Sequence, residues 1–558
     1  MKLLDYFMKP MELPYDFGEW RKKPFPERVK MVCQASGMQG FGAPRFVVVF
    51  YSLKIALYVW LWFVFCSLSD DLGGWSTVET WWSRPEAIGK ALFWTILLEV
   101  IGLGGASGPL TARYMPPLGA ITYYLRPGTV KVPLFPKVPI LGNDKRNFLD
   151  ILLYIGLLVS LTWLCVAPKI TWELVLPVVI LLPVLGVIDR QIYLAARADV
   201  WYPCAVFFLF PLETGGALKM MWFGIWFWAA FSKLQPSFSS VVSVMICNSP
   251  FLNFKWLKRL LFRSYPNDLR LSRLATGISH IGTLVEFSLP ISLMAGTLLG
   301  WDPSIMFYCL LGMTVFHTFI FVNFPMGVPM EWNVIMVYVG WALFYAHPDY
   351  HPSDVENPLI WAILGLSVVV LPILGNLFPR HISFLMSMRY YAGTWPYSVW
   401  LFKGNSKMEK LEPNIVKTSA DLRVQLENYY KDETTRLAIL SRVISFRFMH
   451  LPGRALQDLV PKAVDDIDDY YWQDGEFVAG EVAGWNFGDG HLHHETLLRS
   501  IQKRCNFAHG ELRVIMVESP QLHTGKMHWR IHDAHDGLIE EGYTQIRSLR
   551  EKMPWPEA

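Results

Sequence analysis

The sequence predicts an α-helical polytopic membrane bundle followed by a small α+β domain, and three observations carry this prediction. Of the 558 residues, 53% are hydrophobic and only 17% are charged, whereas soluble domains carry roughly 25% charged residues. Apolar stretches long enough to cross a bilayer recur as far as residue 378. Beyond that point hydropathy falls and charge density rises. We therefore expect one membrane domain and one C-terminal domain outside the bilayer.

Composition also limits the function classes. The formal net charge is only +3, so no basic surface predicts a nucleic-acid partner. The 24 Trp, 23 Tyr and 36 Phe suit side chains at a membrane interface. The seven cysteines include no CxxC pair, which favours buried thiols over disulfides or a zinc site. The N-terminus is too charged and aromatic for a secretory signal, so the first span is expected to direct insertion.

About 20 apolar helical residues cross a hydrocarbon core roughly 30 Å thick. On this criterion we predict about ten transmembrane helices within the membrane domain 46–378. For the short or interrupted segments a re-entrant path is the alternative, because such backbone is tolerated where protein or a cavity surrounds it. The predicted segments are 46–68, 87–107, 148–166, 172–188, 217–233, 236–254, 274–299, 304–323, 332–346 and 359–378.

The distribution of Lys and Arg predicts the orientation. The N-terminal segment 1–45 carries eight Lys and Arg residues, whereas the loop after the first span has Arg84 against four acidic residues. Because Lys and Arg collect on the cytoplasmic side, segment 1–45 is expected to be cytoplasmic. An even number of spans then places both termini in the cytoplasm. The charged residues of 188–203, which include Asp189, Arg190, Arg197 and Asp199, are interpreted as interfacial anchors.

The C-terminal region divides into an interfacial aromatic junction, 379–406, and a cytoplasmic α+β domain, 407–558. Helical spacing is predicted over 407–450. Strands are predicted at 476–487, 511–520, 526–533 and 537–546, with a helix at 494–505 and a hairpin turn at 534–537.

Eight of the 14 histidines follow residue 490, in clusters that superficially resemble the histidine boxes of membrane desaturases. Those boxes lie on helices, whereas His528, Arg530 and His532 alternate along a predicted strand and would share one face. Surface or turn histidines are therefore favoured over a metal site.

Ionisable side chains at membrane depth are costly and mark candidate functional sites. Glu99, His280, Glu286 and His317 are the candidate catalytic acid–base groups, with Lys54 as a charge partner and candidate substrate-binding residue. From about 1.5 Å of rise per residue, Lys54 and Glu99 lie roughly 12 Å deep, and the two histidines roughly 9 Å deep. The alternatives stay open: a Lys54–Glu99 pair that only neutralises two charges, and imidazoles bonded to helix carbonyls.

The stretch NFPMGVPMEWN at 323–333 joins two predicted spans. Its prolines and glycine interrupt the helix, and Asn323, Glu331 and Asn333 add polar groups, so these three are further candidate substrate-binding residues. A broken segment at a membrane edge often presents backbone groups to a ligand. A plain tight turn is the alternative.

Three stretches carry a family resemblance: NFPMGVPMEWN at 323–333, MRYYAGTWPYSVWLF at 388–402 and GWNFGDGHLH at 484–493. With these motifs the whole chain resembles an uncharacterised family of bacterial multi-spanning transmembrane proteins, a domain of unknown function. The resemblance implies a bacterial inner-membrane protein, and it brings no known activity or catalytic residue with it. The cofactor is unknown.

Three functions remain open. The leading hypothesis is a membrane-embedded enzyme acting on a lipid or isoprenoid-like amphiphile, because His and carboxylate groups suit proton transfer. A secondary transporter would use Glu286 near the midplane and the broken segment as its ion and substrate site. A non-catalytic assembly or scaffold protein would use the cytoplasmic domain to bind a protein partner. Membrane lipids are expected partners in all three cases.

Overall fold

A computed structural model provides the architecture. It describes residues 7–9, 12–40, 45–104, 119–139, 141–323, 330–390, 393–416, 421–484 and 495–557. Within these residues the chain is mostly helical and contains one two-stranded and one five-stranded β-sheet.

Helices are numbered in chain order. The N-terminal and membrane parts contain α1 (Phe17–Arg21), α2 (Phe25–Gln39), α3 (Phe46–Ser67), α4 (Val78–Trp81), α5 (Pro85–Val100), α6 (Gly119–Tyr124), α7 (Phe148–Val166), α8 (Trp172–Ile188), α9 (Arg190–Ala195), α10 (Ala198–Phe207), α11 (Thr214–Ser232), α12 (Phe238–Asn248), α13 (Lys255–Leu261), α14 (Arg273–Leu299), α15 (Pro303–Asn323), α16 (Met330–Trp341), α17 (Pro358–Leu364) and α18 (Leu371–Leu377). A π-helical segment, Gly365–Val370, joins α17 to α18.

The C-terminal part contains α19 (Glu412–Asn414), α20 (Leu422–Leu426), α21 (Glu433–Met449), α22 (Leu456–Ala463), α23 (Gly475–Ala483) and α24 (Thr496–Cys505). The strands are β1 (Phe262–Ser264), β2 (Asp268–Leu271), β3 (Tyr397–Lys403), β4 (Tyr470–Asp474), β5 (Leu512–Val517), β6 (Lys526–Asp533) and β7 (Gly537–Gln545).

Five helices in the described part of the chain are long and apolar enough to cross a membrane: α3, α7, α14, α15 and the continuous helix Pro358–Leu377. Only 17% to 39% of the residues in their apolar windows are buried. Large apolar side chains such as Leu53, Leu152 and Leu284 are exposed on them. Helices with satisfied backbone bonds and apolar outer faces suit hydrocarbon surroundings, so these five form an outer layer.

Helices α5, α10, α11 and α16 form an inner layer. Every residue of α5 from Ala87 to Val100 is buried, and α5 contacts α3, α7, α10 and α16. The buried residues of α5 include the polar side chains of Lys90, Thr95 and Glu99. The inner helices therefore hold buried polar groups away from the lipid-facing surface.

The prediction of about ten spans is not confirmed. Five predicted segments coincide with the five candidate spans, but the segment predicted at 236–254 contains only α12. Its 11 residues reach about 16 Å at 1.5 Å per residue, which is too short to cross a bilayer. Instead, α12 packs on the C-terminal domain, where the backbone N–H of Leu451 donates to Ser240 Oγ at 3.0 Å.

The C-terminal sheet is antiparallel, with strand order β4-β3-β5-β6-β7. The predicted strands at 511–520, 526–533 and 537–546 are confirmed, as are the helix at 494–505 and the hairpin between β6 and β7. The alternation of His528, Arg530 and His532 therefore lies on a strand, as predicted. Three other histidines of the C-terminal clusters, at 491, 493 and 494, lie outside the described residues.

The predicted strand at 476–487 is wrong, because 475–483 forms α23. The Asp474 side chain caps this helix by accepting from the backbone N–H of Glu476, and Gly484 ends it with φ of +84°. Its residues in the apolar core recur at helical intervals, at Val478, Ala479, Val482 and Ala483. The pattern of small and apolar residues in this segment fits either a strand or a helix. The N-cap at Asp474 favours the helix.

The predicted boundaries of the C-terminal domain also need correction. Residues 397–403 of the predicted interfacial junction form β3, an interior strand of the sheet that is buried from Tyr397 to Phe402. The predicted separate segment 1–45 contributes α2, whose Val29 and Cys33 share a core with Phe448. The domain is therefore assembled from distant parts of the chain, and it does not begin at residue 407.

Glu518, next to β5, gives the domain a predicted pH dependence. It is buried and accepts a hydrogen bond from Arg530, and burial raises the pKa of its carboxyl to about 8. An unfolded Glu has a pKa of about 4.3, so the folded state retains a proton between these values. Stability therefore falls as the pH rises through this window. We expect the Tm to drop between pH 5 and pH 9, and Glu518→Gln to flatten that profile. An equal drop in both proteins would contradict this assignment.

Candidate functional site

The first turn of α16 organises a set of buried polar contacts. Glu331, Trp332 and Asn333 are consecutive and all buried. Successive helical side chains point about 100° apart, so each of the three meets a different part of the bundle. Glu331 contacts α3, Trp332 contacts the start of α10, and Asn333 contacts α15. We call the residues linked at this turn the polar seam; its members are Lys54, Arg197, Asp199, His317, Glu331, Trp332, Asn333 and Tyr390.

Lys54 lies at one end of the polar seam. Its Nζ is 3.3 Å from Glu331 Oε2, and it donates to the carbonyl oxygen of Gly104 at 3.1 Å. Glu99 lies against the other side of Gly104, since a Cβ there would be 1.9 Å from Glu99 Oε2. Only glycine fits at this position. Lys54 thus forms its ion pair with Glu331 and not, as expected, with Glu99. Glu99 packs against Gly104, whose carbonyl oxygen accepts the hydrogen bond from Lys54.

Arg197 and Asp199 form the middle of the polar seam. Tyr390 donates its hydroxyl to Asp199 Oδ2 at 2.5 Å, and Arg197 Nε is 3.5 Å from Asp199 Oδ1. The guanidinium of Arg197 also stacks over the Trp332 ring at 4.5 Å, a contact typical of desolvated cations. Both charged residues are buried, so their interpretation as interfacial anchors is wrong. Their signal in the sequence was opposite charges two residues apart, next to aromatic residues.

Arg197 also has an unusual backbone. Its φ of +51° lies in the left-handed region, which costs a non-glycine residue about 1–3 kcal/mol and is found preferentially at functional sites. It precedes α10 as the N-cap residue.

His317 is held by two hydrogen bonds. The indole N–H of Trp226 donates to Nε2 at 3.1 Å, and Nδ1 lies 2.9 Å from Asn333 Oδ1. Because Nε2 accepts the hydrogen bond of the indole N–H, Nδ1 carries the hydrogen, which it donates to Asn333 Oδ1. This network defines a neutral imidazole with both nitrogens engaged. The arrangement suits a positioning residue of the seam better than the predicted acid–base role.

Glu286 forms a separate buried ion pair with Lys233, which follows α11. Both side chains are at most 5% exposed, and the ammonium lies 5.5 Å from the Phe316 ring. Glu286 is thus adjacent to the His317 end of the seam, near the middle of α14. Glu286 Oε2 has no hydrogen-bond partner among the described residues.

The remaining predicted residues are not brought into the seam. His280 is only half-buried, while the buried face of α14 carries Ser279, Thr283 and Glu286. His280 therefore points to a different face of α14 from Glu286. Asn323 is buried at the end of α15, where its amide donates locally to the carbonyl of Phe319 at 2.7 Å. The rest of the predicted broken segment, 324–329, lies outside the described residues.

Two groups of acidic or histidine side chains in the described residues have metal-like spacing, but both have other occupations. Glu412, Asp421 and Glu481 surround the ammonium of Lys407, which is 3.0 Å from Glu481 Oε2. In the second group, His509, Asp533 and Asp536, the Asp533 carboxylate binds Arg513 at 2.9 Å. Neither arrangement leaves an open ligand set.

The outer layer of apolar helices and the buried, paired charges define an integral membrane protein with a polar site inside its bundle. The chain belongs to a family described as transmembrane protein of unknown function (DUF3556), which matches residues 6–558. No curated protein and no solved structure matches it. The family resemblance seen in the sequence is thus confirmed as an uncharacterised transmembrane family.

Proposed function

We propose that the protein is a membrane-embedded enzyme that acts on the polar head of a lipid or isoprenoid-like amphiphile. The observation that supports this most is the position of Lys54 beside the carboxylate of Glu331 and, through Gly104, beside Glu99. Ammonium and carboxylate groups in one buried site can bind a polar head and transfer a proton. Glu331 Oε2 faces the Lys54 ammonium at 3.3 Å, whereas Oε1 has no partner among the described residues, so the lone pairs of Oε1 are available to a substrate.

The surroundings of Lys54 support lateral entry from the bilayer. Lys54 lies on α3, an outer helix in which the neighbouring Leu53 and Leu57 are 65% and 45% exposed. The Lys54 side chain itself is 9% exposed. An amphiphile could therefore keep its chain against the outer face of α3 while its head reaches the ammonium, as charged side chains near lipid commonly snorkel along their stems.

Within this proposal Glu331 and Glu99 are the candidate acid–base groups, and Lys54 binds the head. Asn333 and His317 hold the first turn of α16 in register through their hydrogen bond. We also propose a bacterial inner-membrane location and a cytoplasmic C-terminal domain; the Lys and Arg bias of the sequence supports this orientation.

The proposal predicts that Glu331→Gln abolishes a change in lipid composition. Wild-type and variant proteins would be produced at equal levels in the same host, and total lipids compared by mass spectrometry. Loss of a general acid–base group typically lowers a rate by about 10²–10⁴-fold, so lipid species altered by the wild type should return to the empty-vector level. Lys54→Met should act in the same direction.

Glu79→Gln is the matched control, because Glu79 is exposed on the short helix α4, outside the seam, and should leave the lipid change intact. Identical lipid profiles for wild type and empty vector, with folded protein in the membrane, would contradict the enzyme proposal.

A secondary transporter is the second candidate, favoured by the Lys233–Glu286 pair at the middle of α14. A buried carboxylate that exchanges a lysine for a proton or cation is a recurrent element of such pathways. Uptake into proteoliposomes that depends on Glu286, without chemical change of the solute, would support this candidate instead.

A further inference from the structure

A cavity of about 490 Å³ lies in the C-terminal domain, outside the polar seam. Its walls come from the start of α24, from β6 and β7, and from the chain just after the last membrane helix. The side chains that matter here are Arg380, Glu495, Arg499, Arg530 and His532. None of them was singled out as a site in the sequence except as part of the histidine clusters.

Four cationic or imidazole groups converge on the single carboxylate of Glu495. Oε1 accepts a hydrogen bond from Arg530 and lies 3.9 Å from Arg380 Nη2 and 3.5 Å from His532 Nε2. Oε2 lies 3.7 Å from Arg499 Nη2. Three guanidinium groups thus reach one point in the cavity from three parts of the chain. A single guanidinium would neutralise the carboxylate of Glu495, so the positive charge around it exceeds its negative charge.

Among the described residues, the wall of the cavity carries more positive than negative charge. Its second acidic residue within that part of the chain, Asp533, is already bound by Arg513 at 2.9 Å and by the backbone N–H of Gly510 at 2.8 Å. Glu518 bonds Arg530 from behind, and burial raises the pKa of Glu518 to about 8. At neutral pH Glu518 is therefore mostly protonated. Three arginines then face one carboxylate.

We propose that this cavity binds an oxyanion of the phosphate-monoester class, with Glu495 occupying the anion position until the ligand displaces it. Guanidinium forks match phosphate oxygens in bidentate geometry and bind them more strongly than a single carboxylate can. Displacement frees the arginines to contact a ligand of higher charge. The site is separate from the polar seam, so it stands whether or not the proposed enzyme activity does.

The position of the cavity suits a phosphate carried by a lipid as well as a soluble phosphate ester. Arg380 is three residues beyond Leu377, the last residue of α18, and Gln521 donates to the Leu377 carbonyl at 3.4 Å. The cavity is thus next to the end of a membrane helix, where anionic headgroups collect. Leu538 on its rim is 49% exposed, which could accept part of an apolar chain.

Titration of the full-length protein in a nonionic detergent tests the proposal. Glycerol 3-phosphate, dioctanoyl phosphatidic acid and dioctanoyl phosphatidylcholine would be compared by isothermal titration calorimetry. We expect binding of at least one of the first two, which are phosphate monoesters, and none of the phosphatidylcholine, which is a diester. Preference for phosphatidic acid assigns a lipid headgroup, and preference for glycerol 3-phosphate assigns a soluble ligand.

Two variants move the affinity in opposite directions. Glu495→Gln removes the internal competitor and should tighten binding about tenfold, whereas Arg380→Met with Arg499→Met should weaken it at least tenfold. Both arginines are partly exposed, so this double variant is expected to fold. Arg547→Met is the control, because Arg547 is exposed outside the cavity wall. Absence of binding by both the wild type and Glu495→Gln, or equal affinity in all variants, would overturn the proposal.

Discussion

Replacing Lys233 by Met is expected to destabilise the membrane bundle by about 3–5 kcal/mol, because it leaves the carboxylate of Glu286 buried without its cation. Both partners are at most 5% exposed, and water cannot replace the lost ammonium at this depth. Thermal unfolding in detergent, followed by near-UV circular dichroism, should show a clearly lower Tm than the wild type. Glu286→Gln alone should be less harmful, since it removes the negative charge.

The double variant Lys233→Met with Glu286→Gln is the decisive comparison. It removes both charges, so stability should recover most of what Lys233→Met loses, as expected for coupled residues. Lys169→Met is the matched control, because the Lys169–Asp71 pair is 3.8 Å apart and exposed, and exposed pairs contribute about 0–1 kcal/mol. If Lys233→Met lowered the Tm no more than Lys169→Met, the pair would be structurally unimportant.

Replacing Arg447 by Met is expected to cost the C-terminal domain about 3–5 kcal/mol. Arg447 on α21 makes two hydrogen bonds to the Asp474 carboxylate, at 2.5 and 2.7 Å, and both side chains are at most 4% exposed. Asp474 also caps α23. Losing the arginine therefore leaves a buried carboxylate unpaired at the junction of a helix and a strand.

The measurement for Arg447→Met is chemical unfolding of the full-length protein, followed by fluorescence of its tryptophans. Lys462→Met is the control, because the Lys462–Glu540 pair is 43% and 42% exposed and should contribute less than about 1 kcal/mol. Equal losses from the two variants would show that burial does not govern the strength of these ion pairs.

Predictions from the sequence were most reliable where one physical requirement decided the outcome. Five long apolar helices follow from the hydrocarbon thickness alone, and they lie where the sequence placed them. The strand-like period of the sequence and the hairpin turn at 534–537 sufficed for β5, β6 and β7. The predictions were wrong where a segment fits two kinds of structure. The small residues of 475–483 fit a strand or a helix, and the apolar residues of α12 were interpreted as part of a membrane span.

Four of the candidate site residues meet at the first turn of α16. Lys54 and His317 were singled out because ionisable groups are costly inside a membrane, and Glu331 and Asn333 because they add polar groups to a stretch whose prolines and glycine interrupt the helix. The pairing was wrong for Lys54, because depth along a helix says nothing about the direction a side chain faces. Arg197 and Tyr390 were missed, since they come from segments far apart in the chain.

The sequence by itself determined that this chain is a membrane protein with a small α+β domain, because hydropathy and strand alternation depend on neighbouring residues only. The tertiary structure alone decided which charges are paired, since Lys54 with Glu331 and Lys233 with Glu286 depend on helix rotation and contact. It also decided that three arginines converge on Glu495. Such contacts form between distant segments, and no local pattern records them.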